Sequence, residues 1–571
     1  MNSTDIQTLK EVLEAAAERF RDRPAFSFVG GQSLTFSEFA ERVAGVQTLL
    51  RNQGIRPGDK VAIIGENMPN WGAAYFAVTT MGAIIVPILQ EFHETAVHHI
   101  IRHSEAKAAF ASRRFLHKVE EGNLPDLETL FVLDDFSIPG SEEPETTFGE
   151  AVAAAREQMN KWGEAARKLM DRGKPFEISP DDVAAILYTS GTTGHSKGVI
   201  LTHRNIVSNA LAGQSMVDIR DDDRMLSVLP MAHTYECTLG LVLPVLCGVA
   251  VYYLQKPPSP RTLLPAMAEI KPTFLLIVPL IIEKIYRNRI RPKLSGKGLV
   301  GSIMRLGAAR KKLFQVAGRK LLDAFGGELR CMCIGGAALS PEVEEFLAEA
   351  GMPYAIGYGM TEAAPMLAGI GPGRQKLRSC GPPVPGVQLM LENPDPKTGE
   401  GEILAKGPNI MQGYYKAPKD TEDTFTEDGW LKTGDLGYFD QDGYCFIRGR
   451  IKNVIIGPSG ENIYPEEVES VINACDYVLE SLVFSRENQL FARVHLNYDA
   501  LDEAFGVGKM IESKVREKVQ SMLEDIRKRV NKKVSSFARV QRIMEQAEPF
   551  EKTPTQKIKR FLYLDKHDTE R

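Results

Sequence analysis

The run Asp182–Val199 reads DVAAILYTSGTTGHSKGV, and its residue types are those that hold phosphate. Its apolar part, Val183–Tyr188, predicts a strand that ends in a loop of Thr, Ser and Gly and then reaches Lys197. Gly191 and Gly194 let successive backbone N–H groups converge on phosphate oxygens. The hydroxyls of Thr189, Ser190, Thr192 and Thr193 add donors, and Lys197 adds positive charge. The loop is not a Walker loop, because Ser196 precedes the lysine and Gly198 follows it. A loop of this composition alone is more often a plain turn. The preceding strand and the internal lysine shift the reading to phosphate.

Here the chain resembles the adenylate-forming superfamily of acyl-CoA synthetases, peptide-synthetase adenylation domains and luciferases. Their signature loop reads like YTSGTTG-x-P-K-G-V; Ser196 stands where Pro is commonest, which loosens the loop without removing a phosphate contact. Further matches follow in family order over nearly the whole chain. Ile356–Glu362 (IGYGMTE) resembles the aromatic-Gly-x-Thr-Glu segment. The resemblance implies that Tyr358 lies along adenine with Gly359 in the same nucleotide site, Thr361 approaches the phosphates and Glu362 holds Mg²⁺. A planar ring suits a purine face and a carboxylate suits a hard cation. The segment fails as a Rossmann fingerprint, since Glu362 takes the place of the third Gly. Gly335-Gly336-Ala337 would admit adenine and an acyl carboxylate against the backbone, although tight packing explains it equally.

Further on, Thr433-Gly434-Asp435 resembles the segment whose Asp binds both ribose hydroxyls, with Arg450 touching the same sugar. Lys452 occupies the family hinge, and Gly460–Glu469 (GENIYPEEVE) resembles the segment that forms the pantetheine tunnel, with Gly460, Glu461 and Asn462 at its head. Lys552–Arg560 (KTPTQKIKR) resembles T-x-x-G-K-x-x-R, with Lys557 as the catalytic lysine and Gln556 replacing the usual Gly. Catalysis would be positioning and charge neutralisation for attack of a carboxylate on the α-phosphorus. ATP and coenzyme A are then co-substrates and Mg²⁺ the cofactor.

Leu229–Gly240 (LPMAHTYECTLG) resembles the LPLAH-x-x-E segment of long-chain acyl-CoA synthetases. His233 would lie between acyl channel and nucleotide; a hydrogen-bonded core histidine is the plain alternative. The gating Trp of some members has no counterpart, since Cys237 stands nearby. The resemblance implies ATP-dependent activation of a long-chain fatty acid to acyl-AMP with pyrophosphate release, then transfer to coenzyme A. Transfer to a carrier protein and an aryl- or medium-chain acid remain alternatives. A non-catalytic sensor would have lost Lys557, Glu362 or Asp435, and all three are present.

The elements that must position these residues fit 571 residues with 43% apolar and 25% charged content, an ordinary globular composition of several domains. Short β runs such as Lys60–Gly65 alternate with helical patterns such as Trp71–Met81, which predicts parallel α/β layers. Residues 5–20 read as an opening helix, and residues 121–180 as an acid-rich surface excursion. Residues 1–450 are expected to form a large N-terminal domain of two parallel-sheet α/β subdomains plus a small β-barrel subdomain over about 371–450. Residues 451–571 would form a smaller mobile α+β domain. The net charge of −5 divides into +5 for residues 501–571 and −10 for the rest, too balanced for a nucleic-acid coat.

Residues 284–320 hold 12 Lys or Arg and no acid, with apolar residues interleaved. That pattern suits contact with an anionic membrane; a solubilising surface or a dock for the acidic body is the alternative. The apolar stretch Leu239–Leu254 falls short of a bilayer span and carries Pro244, Gly240 and Gly248, so it reads as buried core. No secretory signal is visible, and seven cysteines lack a disulfide framework. Cys331 and Cys333 have no second pair or nearby His to complete a zinc site. The expected location is cytoplasmic, with peripheral contact on the inner membrane face.

Overall fold

The computed structural model describes residues 6–139, 177–189, 196–294, 307–457, 461–487, 489–506, 512–553 and 557–564. The chain forms two compact units. The first comprises Met1–Leu339, Val343–Leu389 and Ala405–Leu431; the second comprises Ser340–Glu342, Met390–Leu404 and Lys432–Arg571.

In the first unit the β-α alternation builds two sheets. One has seven strands in the order Gly413–Tyr414, Lys197–Thr202, Val183–Thr189, Ile84–Ile88, Lys60–Ile64, Ala106–Ala111, Thr129–Val132. The last five run parallel. The first two are antiparallel additions at one edge. The other has eight strands in the order Met366–Gly369, Tyr354–Gly359, Cys331–Ile334, Phe274–Ile277, Arg224–Ser227, Ala250–Tyr253, Pro24–Phe28, Leu34–Thr35, parallel except at its two edges. Strands such as Lys60–Ile64 are continuous apolar runs because both faces are covered.

Helix Pro69–Thr80 touches strands of both sheets and is buried at every residue. A helix so enclosed has no polar face to show. The opening helix runs Leu9–Arg19, started by a reciprocal Thr8–Glu11 capping box and burying Leu9, Val12, Leu13 and Ala16. The apolar stretch read as core is core: a π-helix, Cys237–Val242, continues into helix Leu243–Cys247, a left-handed Gly248 and strand Ala250–Tyr253, nearly all buried.

The second unit carries most of a four-stranded sheet, in the order Gln388–Glu392, Gly401–Lys406, Leu431–Phe439, Cys445–Arg450. It also holds an α+β layer. There Val478–Arg486 and Gln489–Leu496 pair antiparallel, and Val540–Glu545 adds in parallel. Helices Pro465–Asn473 and Glu512–Asn531 cover this sheet through Val468, Ile472, Leu523, Ile526 and Val530. The α/β class with parallel sheets and a later α+β layer is therefore as expected. Among the described residues no helix is long and apolar enough to cross a membrane. Most of the acid-rich excursion, residues 140–176, and residues 295–306 of the basic segment lie outside the described residues.

Candidate active site

The first unit gathers its chemistry at the carboxyl ends of parallel strands, where α/β sheets present ligand sites. Val183–Thr189 leads into the phosphate-type loop, Arg224–Ser227 toward His233, Cys331–Ile334 into Gly335-Gly336-Ala337, and Tyr354–Gly359 into Thr361 and Glu362. Ser190, Gly191, Thr192, Thr193 and Gly194 lie outside the described residues, but the strands on either side of them are paired. Thr189 pairs directly with Lys197 across an antiparallel ladder, and its Oγ1 donates to the Lys197 carbonyl at 3.5 Å.

Lys197 does not stand alone. Its Nζ is 2.7 Å from Asp420 Oδ1 and 5.0 Å from the centre of the Tyr414 ring. The Tyr414 hydroxyl donates to Glu362 Oε1 at 2.9 Å. Burial and the Glu362 charge push the Tyr414 phenol well above its ordinary range, so it stays a donor. One ring thus joins the loop lysine to the carboxylate of the YGMTE segment. Tyr414 is held by pairing with Val199, and the Tyr415 N–H donates to the Gly198 carbonyl at 2.7 Å. Tyr414 and Asp420 were not singled out by sequence. Tyr414 lies 52 residues from Glu362, and only the strand added at the sheet edge brings them together.

The segment carrying Glu362 is a short 3-10 helix, Thr361–Ala363, between an extended Met360 and a left-handed Ala364. Two buried amides pin it. Asn209 donates to the carbonyls of Ala363 and Met366 at 3.3 and 3.0 Å, and Asn409 donates to the same pair, both at 2.8 Å. Asn209 Oδ1 also accepts from the Met366 N–H. Gly359 is required here, since a Cβ would lie 2.0 Å from the Pro365 carbonyl oxygen. Glu362 is half-buried, and among the described residues its Oε2 takes no hydrogen bond. A carboxylate oriented through one oxygen and open at the other is a fitting hard donor for Mg²⁺.

On the neighbouring strands, Tyr235 donates its hydroxyl to the Cys333 carbonyl at 3.0 Å and lays its ring over Gly335, where a Cβ would come within 3.3 Å. Gly336 and Ala337 are exposed beyond the strand. His233 caps helix Thr234–Glu236, its Nδ1 accepting the Tyr235 N–H at 3.2 Å. The turn is held from below. Asn67 donates to Ser227 Oγ and the Leu229 carbonyl and accepts from the Met231 N–H. Ser227 in turn donates to Glu236 Oε1 at 2.5 Å. Glu236 is fully buried, among the described residues its Oε2 has no partner, and burial raises its pKa to about 8, so it is a neutral acid at pH 7. Sequence reading passed over it as part of the motif.

Met216, Val217, Met225, Leu239, Leu243 and Phe274 line a cavity that also touches Cys333 and Ala355. Among the described residues no charged side chain lines it.

The second unit carries its own set. Asp435 is buried and faces Arg450 across an antiparallel pair, with Arg450 Nε 2.7 Å from Asp435 Oδ1. The Asp435 N–H donates to Thr433 Oγ1, which itself donates to the Ile403 carbonyl. Lys452 is exposed on a single 3-10 turn between two strands. Glu461 and Asn462 head the strand Asn462–Ile463, while Gly460 lies outside the described residues.

Lys557 is exposed at the end of a loop closed by two bonds to Thr553: the Thr553 N–H to the Lys557 carbonyl at 2.8 Å, and the Lys557 N–H to Thr553 Oγ1 at 3.2 Å. Gln556 lies outside the described residues. The loop is anchored by a Lys552–Glu480 ion pair and by Arg560, which reaches Glu469 at 2.5 Å and Glu466 at 3.6 Å. Glu469 closes the GENIYPEEVE segment, so the two C-terminal motifs are tied through Arg560.

The AMP-binding enzyme family profile matches residues 13–415, well over half of the chain. The chain belongs to that family. Long chain acyl-CoA synthetase 6, peroxisomal, of Arabidopsis thaliana is 30% identical over 541 residues, covering 87% of this chain and 74% of the relative. Feruloyl-CoA synthase of an Amycolatopsis species is 30% identical over 460 residues, covering 77% and 78%. Among solved structures, O-succinylbenzoate coenzyme A synthetase of Bacillus subtilis, in complex with ATP and magnesium ion, superposes with a TM-score of 0.70 at 22% identity, over 96% of this chain and 98% of that one. The protein is an adenylate-forming acyl-CoA ligase.

Proposed function

We propose that this ligase activates long-chain fatty acids, forming acyl-AMP with release of pyrophosphate and then acyl-CoA with release of AMP. The observation that carries the reading of an apolar acyl chain is the cavity beside Cys333 and Ala355, lined among the described residues by methionine, leucine, valine and phenylalanine side chains and by no charged group. Each methylene buried there contributes about 0.8 kcal/mol, whereas a hydroxylated aryl acid would leave its polar groups unpaired. The similarity to a long chain acyl-CoA synthetase supports the same reading, and that to a feruloyl-CoA synthase is the reason an aryl acid must be tested beside it. A panel of acids from short to very long, with an aryl acid included, is scored by AMP release with and without coenzyme A. Highest kcat/KM for long saturated acids is expected; preference for the aryl acid overturns the reading. AMP release that follows a carrier-protein thiol instead of coenzyme A would replace the acceptor.

In this reading Thr189, Lys197 and the Ser190–Gly194 loop hold the phosphates with Thr361. Gly335, Gly336, Ala337, Tyr358 and Gly359 bed the adenine and the acyl carboxylate, with His233 between them. Asp435 and Arg450 take the ribose. Glu362 would hold Mg²⁺, which supplies charge neutralisation at the phosphates. Lys557 stabilises charge developing at the α-phosphate, and rotation about Lys452 then replaces it with the Gly460–Asn462 segment for the thiol step. Such a rotation would have to break the contacts that straddle Lys452, Tyr464 to Glu400 and Arg448 to Glu467.

The basic segment supplies a membrane contact in the same reading. Lys284, Arg289, Lys293, Lys311, Lys312, Arg319 and Lys320 are exposed, together with Leu280 and Val316. Arg310 is spent on Glu345 and Glu349. Flotation with vesicles is expected to depend on anionic lipid and to weaken with salt; binding indifferent to lipid charge overturns the electrostatic part.

A further inference from the structure

Cys331 and Cys333 stand on one face of strand Cys331–Ile334, and their sulfurs are 3.4 Å apart. Among the described residues no group of three His, Cys, Asp or Glu is placed to hold a metal ion, so the pair is not part of a metal site there. The two thiols differ. Cys331 is buried, while Cys333 is partly exposed and borders the apolar cavity. The bond between the thiols raises the pKa of Cys331 above its ordinary range, with burial adding to it. Cys331 is therefore a thiol that keeps its proton, within hydrogen-bond distance of the Cys333 sulfur.

We infer that Cys331 and Cys333 are a peroxide-reactive thiol pair whose closure to a disulfide disables the adjoining Gly335-Gly336 bed. The Cys333 thiol gives up its proton and its thiolate attacks one peroxide oxygen; the O–O bond breaks, and the second oxygen leaves as hydroxide and is protonated to water. Cys333 is then a sulfenic acid. The Cys331 sulfur attacks it, the S–O bond breaks, and water leaves with the Cys331 proton. Two thiols are oxidised by two electrons and one hydrogen peroxide is reduced to two waters.

The consequence follows from strand geometry. Same-face neighbours on a strand lie about 6.6 Å apart at 3.3 Å per residue, whereas a disulfide needs its Cβ atoms within about 3.5–4.5 Å. Bridging must pinch the strand, and the pinch falls on the Cys333 carbonyl that receives the Tyr235 hydroxyl and on Gly335, whose N–H donates to the Ile277 carbonyl at 3.2 Å. Displacing a positioned ligand bed by even 1 Å costs up to about a hundredfold in rate. The link to activity rests on the function proposed above; the bridging chemistry does not.

The test treats the full-length protein with hydrogen peroxide, blocks remaining thiols by alkylation and digests without reductant. The peptide holding Cys331 and Cys333 is expected to be lighter by the mass of two hydrogens and to take no alkyl group. ATP–pyrophosphate exchange should fall at least about tenfold and recover with dithiothreitol. Cys331→Ala is expected to keep its exchange activity, and under peroxide to stop at a sulfenic acid on Cys333 that dimedone labels. Two alkylated thiols at a dose that oxidises the partly exposed Cys380, or a bridge to another cysteine, overturns the pair. A closed bridge with unchanged exchange overturns the switch. If the untreated protein shows no exchange at all, the functional reading fails and the bridge is judged by mass alone.

Discussion

Tyr414 does two jobs with one ring, and both are testable. Its hydroxyl holds Glu362 Oε1 while its face lies beneath the Lys197 ammonium. Tyr414→Phe keeps the ring and removes only the bond to the carboxylate, a hydrogen bond to a charged group worth about 1.5–3 kcal/mol. The expected result is a loss of about tenfold or more in kcat/KM for ATP, with the KM for the acid unchanged, measured by exchange at varied ATP and Mg²⁺. An unaltered ATP dependence would remove Tyr414 from the site. Lys557 gives the opposite signature: Lys557→Ala should cost about 3–4 kcal/mol of barrier in adenylate formation yet leave thioester formation from supplied acyl-AMP largely intact. Equal loss in both half-reactions would refute that division. The contrast shows what a sequence reveals. Lys557, Glu362 and Lys197 sit in contiguous motifs, so their residue types mark them as candidates. Tyr414 and Asp420 meet Glu362 and Lys197 only because a two-residue strand adds to the sheet edge, and no local pattern carries that information. Glu236 stood within a noticed motif, but its neutrality comes from burial, which a motif does not display.

At the scale of elements, the alternation of apolar runs and helical periods was enough to foresee the layered α/β body, because parallel strands covered on both faces leave continuous apolar words such as KVAII. The π-helix at Cys237–Val242 was not legible, since its register depends on Gly240, whose added Cβ would lie 2.7 Å from the Glu236 carboxyl. Nor were the two asparagines that hold the Glu362 segment, which come from 154 and 46 residues away. Their role predicts an element-level effect. Asn209→Ala removes three of the bonds to Ala363 and Met366 and leaves the Met366 N–H buried without its acceptor. Such a loss costs about 1–3 kcal/mol. Thermal unfolding of the first unit should shift down accordingly, and kcat should fall more than the KM for ATP, because the segment still forms but no longer presents Glu362 in one place. A lowered melting point with unchanged kcat would make the asparagines purely structural.

At the scale of the whole molecule, two buried groups of the first unit set opposing limbs of its pH stability. His203 is buried at the start of helix His203–Met216, its Nδ1 accepting the Leu9 N–H at 3.2 Å. Burial lowers its pKa from 6.5 to about 4. Below pH 6.5 the unfolded chain therefore binds a proton that the folded chain refuses, and stability falls with pH until about 4. Glu236 works the other way. Its pKa is raised from 4.5 to about 8, so above pH 4.5 the unfolded chain releases a proton that the folded chain keeps, and stability falls as pH rises toward 8. Between about pH 4.5 and 6.5 the two slopes, each about 1.4 kcal/mol per pH unit, cancel. Above 6.5 the glutamate acts alone, and its limb removes about 2 kcal/mol by pH 8. Urea midpoints for the first unit, taken across this range, should be level in the middle and decline on the alkaline side. Glu236→Gln, which keeps a neutral group of the same shape, should abolish the alkaline decline. His203→Gln should remove the cancelling partner, so that its midpoint falls steadily from pH 4.5 upward. A glutamine variant at Glu236 that still loses stability between pH 6.5 and 8 would mean that Glu236 is not the acid held neutral in the core.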